Sequence, residues 1–350
     1  MKEINDISWL VPEDVYRKDP ALSYSTLARF NREGFNNIDN LFEKIESPSL
    51  TFGSAVDALI TGGEEEFNNN FIVAEFPNIP DSIVQIVKDL FNEFSDTHTT
   101  LESIPNEAII EFASRFNYQN NWKPETRAKV IKEKGNTYYN LLFVSENKKI
   151  INTNTYNSVI TAVNALKESD ATRFYFSTED EFTPYIKRYY QLKFKAVLRN
   201  NIEYRCMFDE LIVDYKNKTI QPIDLKTSCK LNDREWDFPK HYVEWDYQIQ
   251  NRLYYRILLN NIKKDEYFKD FKILPYKDII IFKESTLPLV WDIPFTSAEG
   301  TLYFGKNKEI EFKDPEDIGY TLNYYLSLRP EVPIDIDKFG NNNIVSWLNK

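Results

Sequence analysis

Asp224 and Lys226 stand two residues apart in Ile223-Asp224-Leu225-Lys226-Thr227, at the end of a stretch that reads as a β-strand. Side chains two apart on a strand share a face, so a carboxylate and an ammonium group point the same way while Leu225 turns to the core. The Leu225 carbonyl stays beside the carboxylate. Carboxylate and carbonyl oxygens are hard donors suited to Mg²⁺ or Mn²⁺. Lys226 could then orient an attacking water or hold a phosphate oxygen. Alone the tripeptide says little, because Asp-x-Lys arises by chance on solvated strand edges. Asp209 adds weight. It closes the preceding strand, and a short hairpin through Lys216-Asn217-Lys218 separates it from Asp224. Two carboxylates on one side of neighbouring strands repel unless a cation lies between them, although Asp209-Glu210 could simply open a turn.

A third group follows in Tyr247, Gln250 and Tyr254, whose spacing of three and four puts them on one helical face. Two tyrosines alone would read as a core stripe. Gln250 between them needs hydrogen-bond partners if buried, and a Gln/Tyr face beside a metal suits contacts to a nucleic-acid backbone. The chain holds only two histidines, His98 and His241, and two cysteines, Cys206 and Cys229. Imidazole clusters and four-cysteine metal sites are therefore excluded, and the cysteines read as small core residues. Carboxylates and lysines must carry any chemistry.

The elements that position these groups emerge from periodicity. Ser23 caps a short helix over residues 22–30, with Leu27 and Phe30 inward. Leu50 to Ile60 predicts a second helix, ending at Gly62-Gly63, with Gly53 and its small neighbours packed close to another backbone. From about Asp81 to Ser169 the pattern is helical, as at Ile83, Ile86, Val87 and Leu90 and again at Val159, Ala162, Val163 and Leu166. A further helix begins at Lys123-Pro124 and carries Arg127, Lys129, Lys132 and Lys134, a basic face of the kind that is more often simply solvated but that could line a DNA path. Alternation then predicts strands over 190–197, 202–209 and 219–227, a helix over about 243–259, and a strand at Ile279–Phe282 followed by Leu289-Val290-Trp291. Strands, a helix and another strand make a mixed sheet with a crossover. The tail from Pro333 has no legible pattern.

Taken in order, these stretches resemble the PD-(D/E)xK nuclease superfamily, and most closely its exonuclease VIII-type and RecB-like branch of phages and bacteria. The resemblance rests on Asp209, Asp224-Leu225-Lys226-Thr227 and Tyr247-x-x-Gln250-x-x-x-Tyr254, preceded by Leu22-Ser23-Tyr24-Ser25-Thr26-Leu27 and Phe52-Gly53-Ser54-Ala55-Val56-Asp57-Ala58-Leu59. It runs from residue 22 to about 259 and matches 64–185 only loosely. It implies an α/β (mixed α+β) restriction-endonuclease-like core, a mixed central β-sheet flanked by helices, with a helical N-terminal and inserted region. On that basis 1–180 is mainly helical and carries Asp57, 181–300 holds the core sheet and helix, and 301–350 is a C-terminal extension, all within one compact domain.

The resemblance also implies roles. Asp209, Asp224 and Lys226 would be catalytic. Asp209, Asp224, the Leu225 carbonyl and Asp57 would hold Mg²⁺ or Mn²⁺, with Asp57 standing where many members of the branch have a histidine. Gln250, Tyr254 and Tyr247 would bind substrate. The implied activity is an exodeoxyribonuclease on linear duplex DNA in phage-type recombination or repair. An endonuclease with the same site, or a DNA-binding module whose site has decayed, are the alternatives. Implied partners are duplex DNA with a free end, a single-strand annealing protein and further copies of the chain.

Composition sets the outer bounds. With 350 residues, 42% hydrophobic and 15% aromatic, the chain can bury a large core. A net charge of -11 argues against tight, nonspecific coating of DNA. It does not exclude a local catalytic cleft. No apolar run spans a bilayer and the first residues lack a secretion signal, so a cytoplasmic protein without a membrane partner is expected.

Overall fold

The computed structural model describes residues 2–328, apart from 36–37, 39–40, 43–47, 78, 146–147, 177–183, 229–237, 284–285, 294–300, 305–307 and 312. Cys229 and the tail from 329 onward lie outside the described residues. The chain begins with α1 (Glu13–Lys18) and α2 (Tyr24–Glu33). Ser23 caps α2 as expected, its hydroxyl accepting the Thr26 N–H at 3.4 Å, and turns Leu27 and Phe30 into the core. Helix α3 (Pro48–Thr61) carries Asp57 and stops before Gly63, whose φ of +68° only glycine adopts freely. Gly63 opens α4 (Gly63–Asn70).

Strand β1 (Phe71–Val73) then leads into α5 (Asp81–Phe94), α6 (Asn106–Arg115) and α7 (Pro124–Val144), and the chain returns through β2 (Lys149–Ile151), which pairs in parallel with β1. This helical insertion has its own core, built from the expected Ile83, Ile86, Val87 and Leu90 with Phe112, Ile131 and Tyr139. Asn152 caps α8 (Thr153–Glu168), and the short α9 (Arg173–Phe176) follows. The apolar stripe of α8 meets Phe52, Ala55 and Val56 of α3.

The sheet comes next, from β3 (Ile186–Val197), β4 (Glu203–Asp214) and β5 (Thr219–Ser228). After the crossover helices α10 (Phe238–Glu244) and α11 (Tyr247–Lys264) come β6 (Lys272–Ile273), β7 (Tyr276–Phe282) and β8 (Leu289–Ile293). The strand order is β3-β4-β5-β7-β8, with β6 extending the pairing of β5. β5 runs parallel to β6 and β7, and the other neighbours are antiparallel. This is the expected mixed sheet flanked by helices. One face packs on α3 and α8 through Ile212, Ile223, Ile279 and Ile281. The other packs on α2 and α11 through Phe194, Phe208, Leu253 and Ile257. An antiparallel pair, β9 (Thr301–Phe304) and β10 (Lys308–Glu311), leads to α12 (Pro315–Leu328), which closes that second core with Ile318 and Leu322.

Two departures from the sequence expectation bear on the site. The predicted helix over 243–259 is two helices, broken at Asp246 with φ +56°. An Asp tolerates this left-handed conformation, and its buried carboxylate accepts hydrogen bonds from Asn31 at 3.1 Å and Gln248 at 3.2 Å. The strand expected to end at Asp209 continues to Asp214. Its inward-facing residues switch parity, from Tyr204, Cys206 and Phe208 to Leu211 and Val213. A local distortion at Asp209 makes that switch. Among the described residues, no helix is long and apolar enough to cross a membrane.

Candidate functional site

The distortion in β4 has a counterpart in β3. Pairing runs from Tyr190 with Glu210 to Leu192 with Phe208 and skips Gln191 and Asp209, which lie across from one another. Gln191 takes φ +53°, an uncommon conformation for a residue with a Cβ. On its other side the β4–β5 ladder stops at Glu210 and Ile223, one residue short of Asp209 and Asp224. The two strands part there. The Asp209 carboxylate bridges the gap by accepting the backbone N–H of Leu225 at 2.8 Å.

On the α11 side of the sheet, Asp224 is buried and forms an ion pair with Lys226. Gln250 ties both groups to α11. Its amide donates to Asp224 Oδ1 at 2.5 Å and its carbonyl oxygen accepts from Lys226 Nζ at 2.7 Å. The ammonium group also lies over the Tyr247 ring, 4.3 Å from its centroid. Burial works against the lysine charge, but Asp224 outweighs it and holds Lys226 protonated well above its ordinary range.

Asp57 approaches from α3 on the opposite face. Gly53, one turn earlier, permits this: a Cβ there would stand 2.7 Å from Thr227 Oγ1, directly after Lys226. The close packing expected of Gly53 is present, but its nearest neighbour is the Thr227 side chain rather than backbone. Gln191 Nε2 donates to both Asp57 oxygens, at 3.0 and 2.8 Å. Asp57, Asp209, Glu210 and Leu225 line one small cleft of about 210 Å³ including its open mouth.

The electrostatics are those of a cluster short of positive charge. Burial, then Asp224 and Asp57, drive the Asp209 carboxyl well above its ordinary range against the opposing pull of Lys226. Burial and then Glu66 push Asp57 up to about 7, with Gln191 opposing. A divalent cation would relieve this repulsion. The donors also fit one chemically: three carboxylates and the Leu225 carbonyl are hard oxygen ligands. Among the described residues, though, no three acidic, imidazole or thiolate groups converge tightly enough to form a ready-made cage. Asp57 is engaged by Gln191 and would have to turn from it to join the others.

No protein-family model matches this chain, and no curated protein matches it either.

The structure brings Asp57, Asp209, Asp224, Leu225, Lys226, Gln250 and Tyr247 to one end of the sheet. Tyr254 lies on the same helix but is 7% exposed, with its ring edge-on to Phe208 at 5.3 Å. It supports the site from the core. Of the basic residues expected along α7, Arg127 does not reach the surface, while Lys129 and Lys134 are exposed. Arg127 is buried within the helical insertion and donates to Asn120 Oδ1 at 3.2 Å, because the stretch from Tyr118 to Asn120 folds back over the start of α7. Lys129 faces Glu133, and Lys132 donates to the Glu102 carbonyl.

Three residues escaped the sequence reading. Gln191 gave no signal, since its left-handed conformation is invisible in an alternating strand. Glu210 is 1% exposed, and both carboxylate oxygens lack a hydrogen bond among the described residues, with Arg188 at 3.9 Å. Asp278 is fully buried on β7, directly beside Asp224 in the parallel register. Asn251 donates to it at 3.1 Å and in turn accepts from the Tyr242 hydroxyl at 3.0 Å. Burial and Asp224 raise the Asp278 carboxyl to about 7, against Lys226 and Asn251. An acidic residue heading the apolar run Ile279–Phe282 was its one legible sign.

Proposed function

We propose that the protein is a divalent-metal-dependent deoxyribonuclease, acting as an exonuclease on linear duplex DNA. The observation that carries this reading is the linked set Asp224–Gln250–Lys226, with Asp209 anchored to the Leu225 N–H across the gap between β4 and β5. It supplies oxygen donors and one held cation, groups of the kind that phosphodiester hydrolysis uses, and this supports the reading.

Asp209, Asp224, the Leu225 carbonyl and Asp57 would hold Mg²⁺ or Mn²⁺. When bound, such an ion supplies Lewis acidity, making water a better acid and offsetting phosphate charge. The chain's own residues do the rest. Lys226, kept protonated by Asp224, aims its ammonium at a phosphate oxygen or orients the attacking water. Gln250 fixes the Lys226 and Asp224 side chains relative to each other. Gln191 keeps Asp57 at the edge of the cleft. The preference for linear DNA and a role in recombination or repair follow from the motif resemblance.

A second reading, a catalytically silent DNA-binding module, draws on Asp57, whose two oxygens are both occupied by Gln191. One experiment separates the readings. Linear and closed circular duplex DNA are incubated with the protein in Mg²⁺, Mn²⁺ or EDTA. Metal-dependent loss of linear DNA alone is the expected result. Cutting of closed circles identifies an endonuclease, and binding without cutting identifies the silent module.

A further inference from the structure

Trp245 is an exposed aromatic held in a fixed place next to the candidate site. It occupies the break between α10 and α11, where 46% of its surface is open. Its backbone is anchored by hydrogen bonds. The Trp245 carbonyl accepts from the Tyr24 hydroxyl at 2.7 Å and from Arg32 Nη1 at 3.3 Å. The next residue is the buried, left-handed Asp246, which Asn31 and Gln248 hold by hydrogen bonds. The Arg32 guanidinium lies over the Trp245 ring at 5.3 Å and pairs with Asp246 at 3.6 Å. Lys313, exposed, acts on the same Asp246 carboxylate. The indole thus has one guanidinium on its ring, with the carboxylates of Asp246 and Glu244 close by in the chain.

The patch adjoins the chemistry. Tyr24, which holds the Trp245 carbonyl, lies within electrostatic reach of Lys226 and Asp224. Tyr247, two residues past Trp245, packs its ring on Lys226. An anchored aromatic face with a guanidinium beside it matches the chemistry of a nucleotide, whose base stacks on the ring while its phosphate meets the cation. A paired base inside a duplex offers no free face and a blunt terminal pair only its outer one, so an unpaired base is the fuller match to a single indole.

We propose that Trp245, with the Arg32 guanidinium against its ring, is a stacking platform for an unpaired nucleobase at the end of the DNA strand entering the site. The proposal rests on the nuclease reading and names the form of substrate that reading leaves open: a frayed or overhanging end.

The test uses the full chain in EDTA, to hold off cleavage, and a duplex carrying 2-aminopurine as an unpaired terminal nucleotide. Stacking on an indole quenches that fluorophore. Wild type is expected to quench it, Trp245→Phe to retain most of the effect, and Trp245→Ala to lose it with about tenfold weaker binding of the overhang. Because Trp245 is exposed and its anchoring contacts are made by the backbone, the alanine variant should keep the wild-type circular dichroism. Unchanged quenching and affinity in Trp245→Ala, with wild type binding DNA normally, overturn the platform and leave the nuclease reading intact. Failure of wild type to bind DNA with any kind of end, both in EDTA and with Mg²⁺ or Mn²⁺ present, overturns both.

Discussion

Asp209 reaches across the gap between two parting strands to accept the Leu225 N–H at 2.8 Å, which fixes its carboxylate one residue from Asp224. The contact needs only an acceptor oxygen, whereas the proposed role in holding a cation needs the charge. Asp209→Asn keeps an acceptor and removes one of the mutually repelling charges. We expect it to melt at or above the wild-type temperature while DNA cleavage falls at least about a hundredfold. A variant with both wild-type stability and wild-type cleavage would show that the charge has no part in the chemistry.

Gln250 serves Asp224 and Lys226 at once, donating to one and accepting from the other. Gln250→Ala leaves a buried carboxylate oxygen short of a partner, a loss of about 1–3 kcal/mol in chemical denaturation. Cleavage should fall by about 10–100-fold, as when a group that orients metal-binding residues is removed. Gln250→Glu is expected to be worse for cleavage, because it sets a further negative charge against Asp224. Wild-type cleavage by Gln250→Glu alongside impaired Gln250→Ala would mean that Gln250 acts by packing alone.

Gly53 is the point at which α3 touches β5. Gly53→Ala forces its Cβ toward Thr227 Oγ1, which would lie at 2.7 Å. Overpacking of this kind costs about 1–3 kcal/mol, and the displaced helix carries Asp57 with it. We expect a lower melting temperature together with weaker cleavage. Thr227→Ala removes the obstructing hydroxyl, so the double variant should recover much of both. Absence of recovery would place the strain elsewhere.

The carboxyls of Asp57 and Asp278 are raised from 3.8 to about 7. A group with a higher pKa in the folded state binds more protons there than in the unfolded chain, so it withdraws stability as pH rises through that window. Between pH 3.8 and about 7 both residues therefore lower the stability of the metal-free protein. Other carboxyls titrate nearby, so the difference between wild type and variant isolates these two. In EDTA, the melting temperatures of Asp57→Asn and Asp278→Asn should gain on wild type as pH rises from 4 to about 7. Added Mg²⁺ should stabilise wild type most above that window, where protons no longer compete for Asp57. A gap between variant and wild type that stays constant with pH would contradict the assignment.

Much of the fold was legible because it follows from periodicity. The strand alternation around Phe194, Cys206 and Ile220 and the helical stripes at Ile83–Leu90 and Val159–Leu166 all point into cores. The central pair was legible for the same reason, since Asp224 and Lys226 need only a strand to share a face. What escaped depends on departures from regular geometry or on pairings distant in sequence. The left-handed Gln191 and Asp246 obey no repeat, and Asp278 meets Asp224 only through a parallel register set after a two-helix crossover. Arg127 looked like part of a solvated basic face because nothing local shows that Asn120 folds back to meet it.

The most direct measurement is the rate at which wild type, Asp224→Asn and Lys226→Ala degrade the same linear duplex in Mg²⁺, each first shown folded by circular dichroism. Wild type should consume the DNA and stop when EDTA is added, and both variants should be slower by at least about a hundredfold. Either variant matching wild type, or wild-type cleavage that continues undiminished in EDTA, would contradict a hydrolytic site built on this carboxylate and its paired lysine.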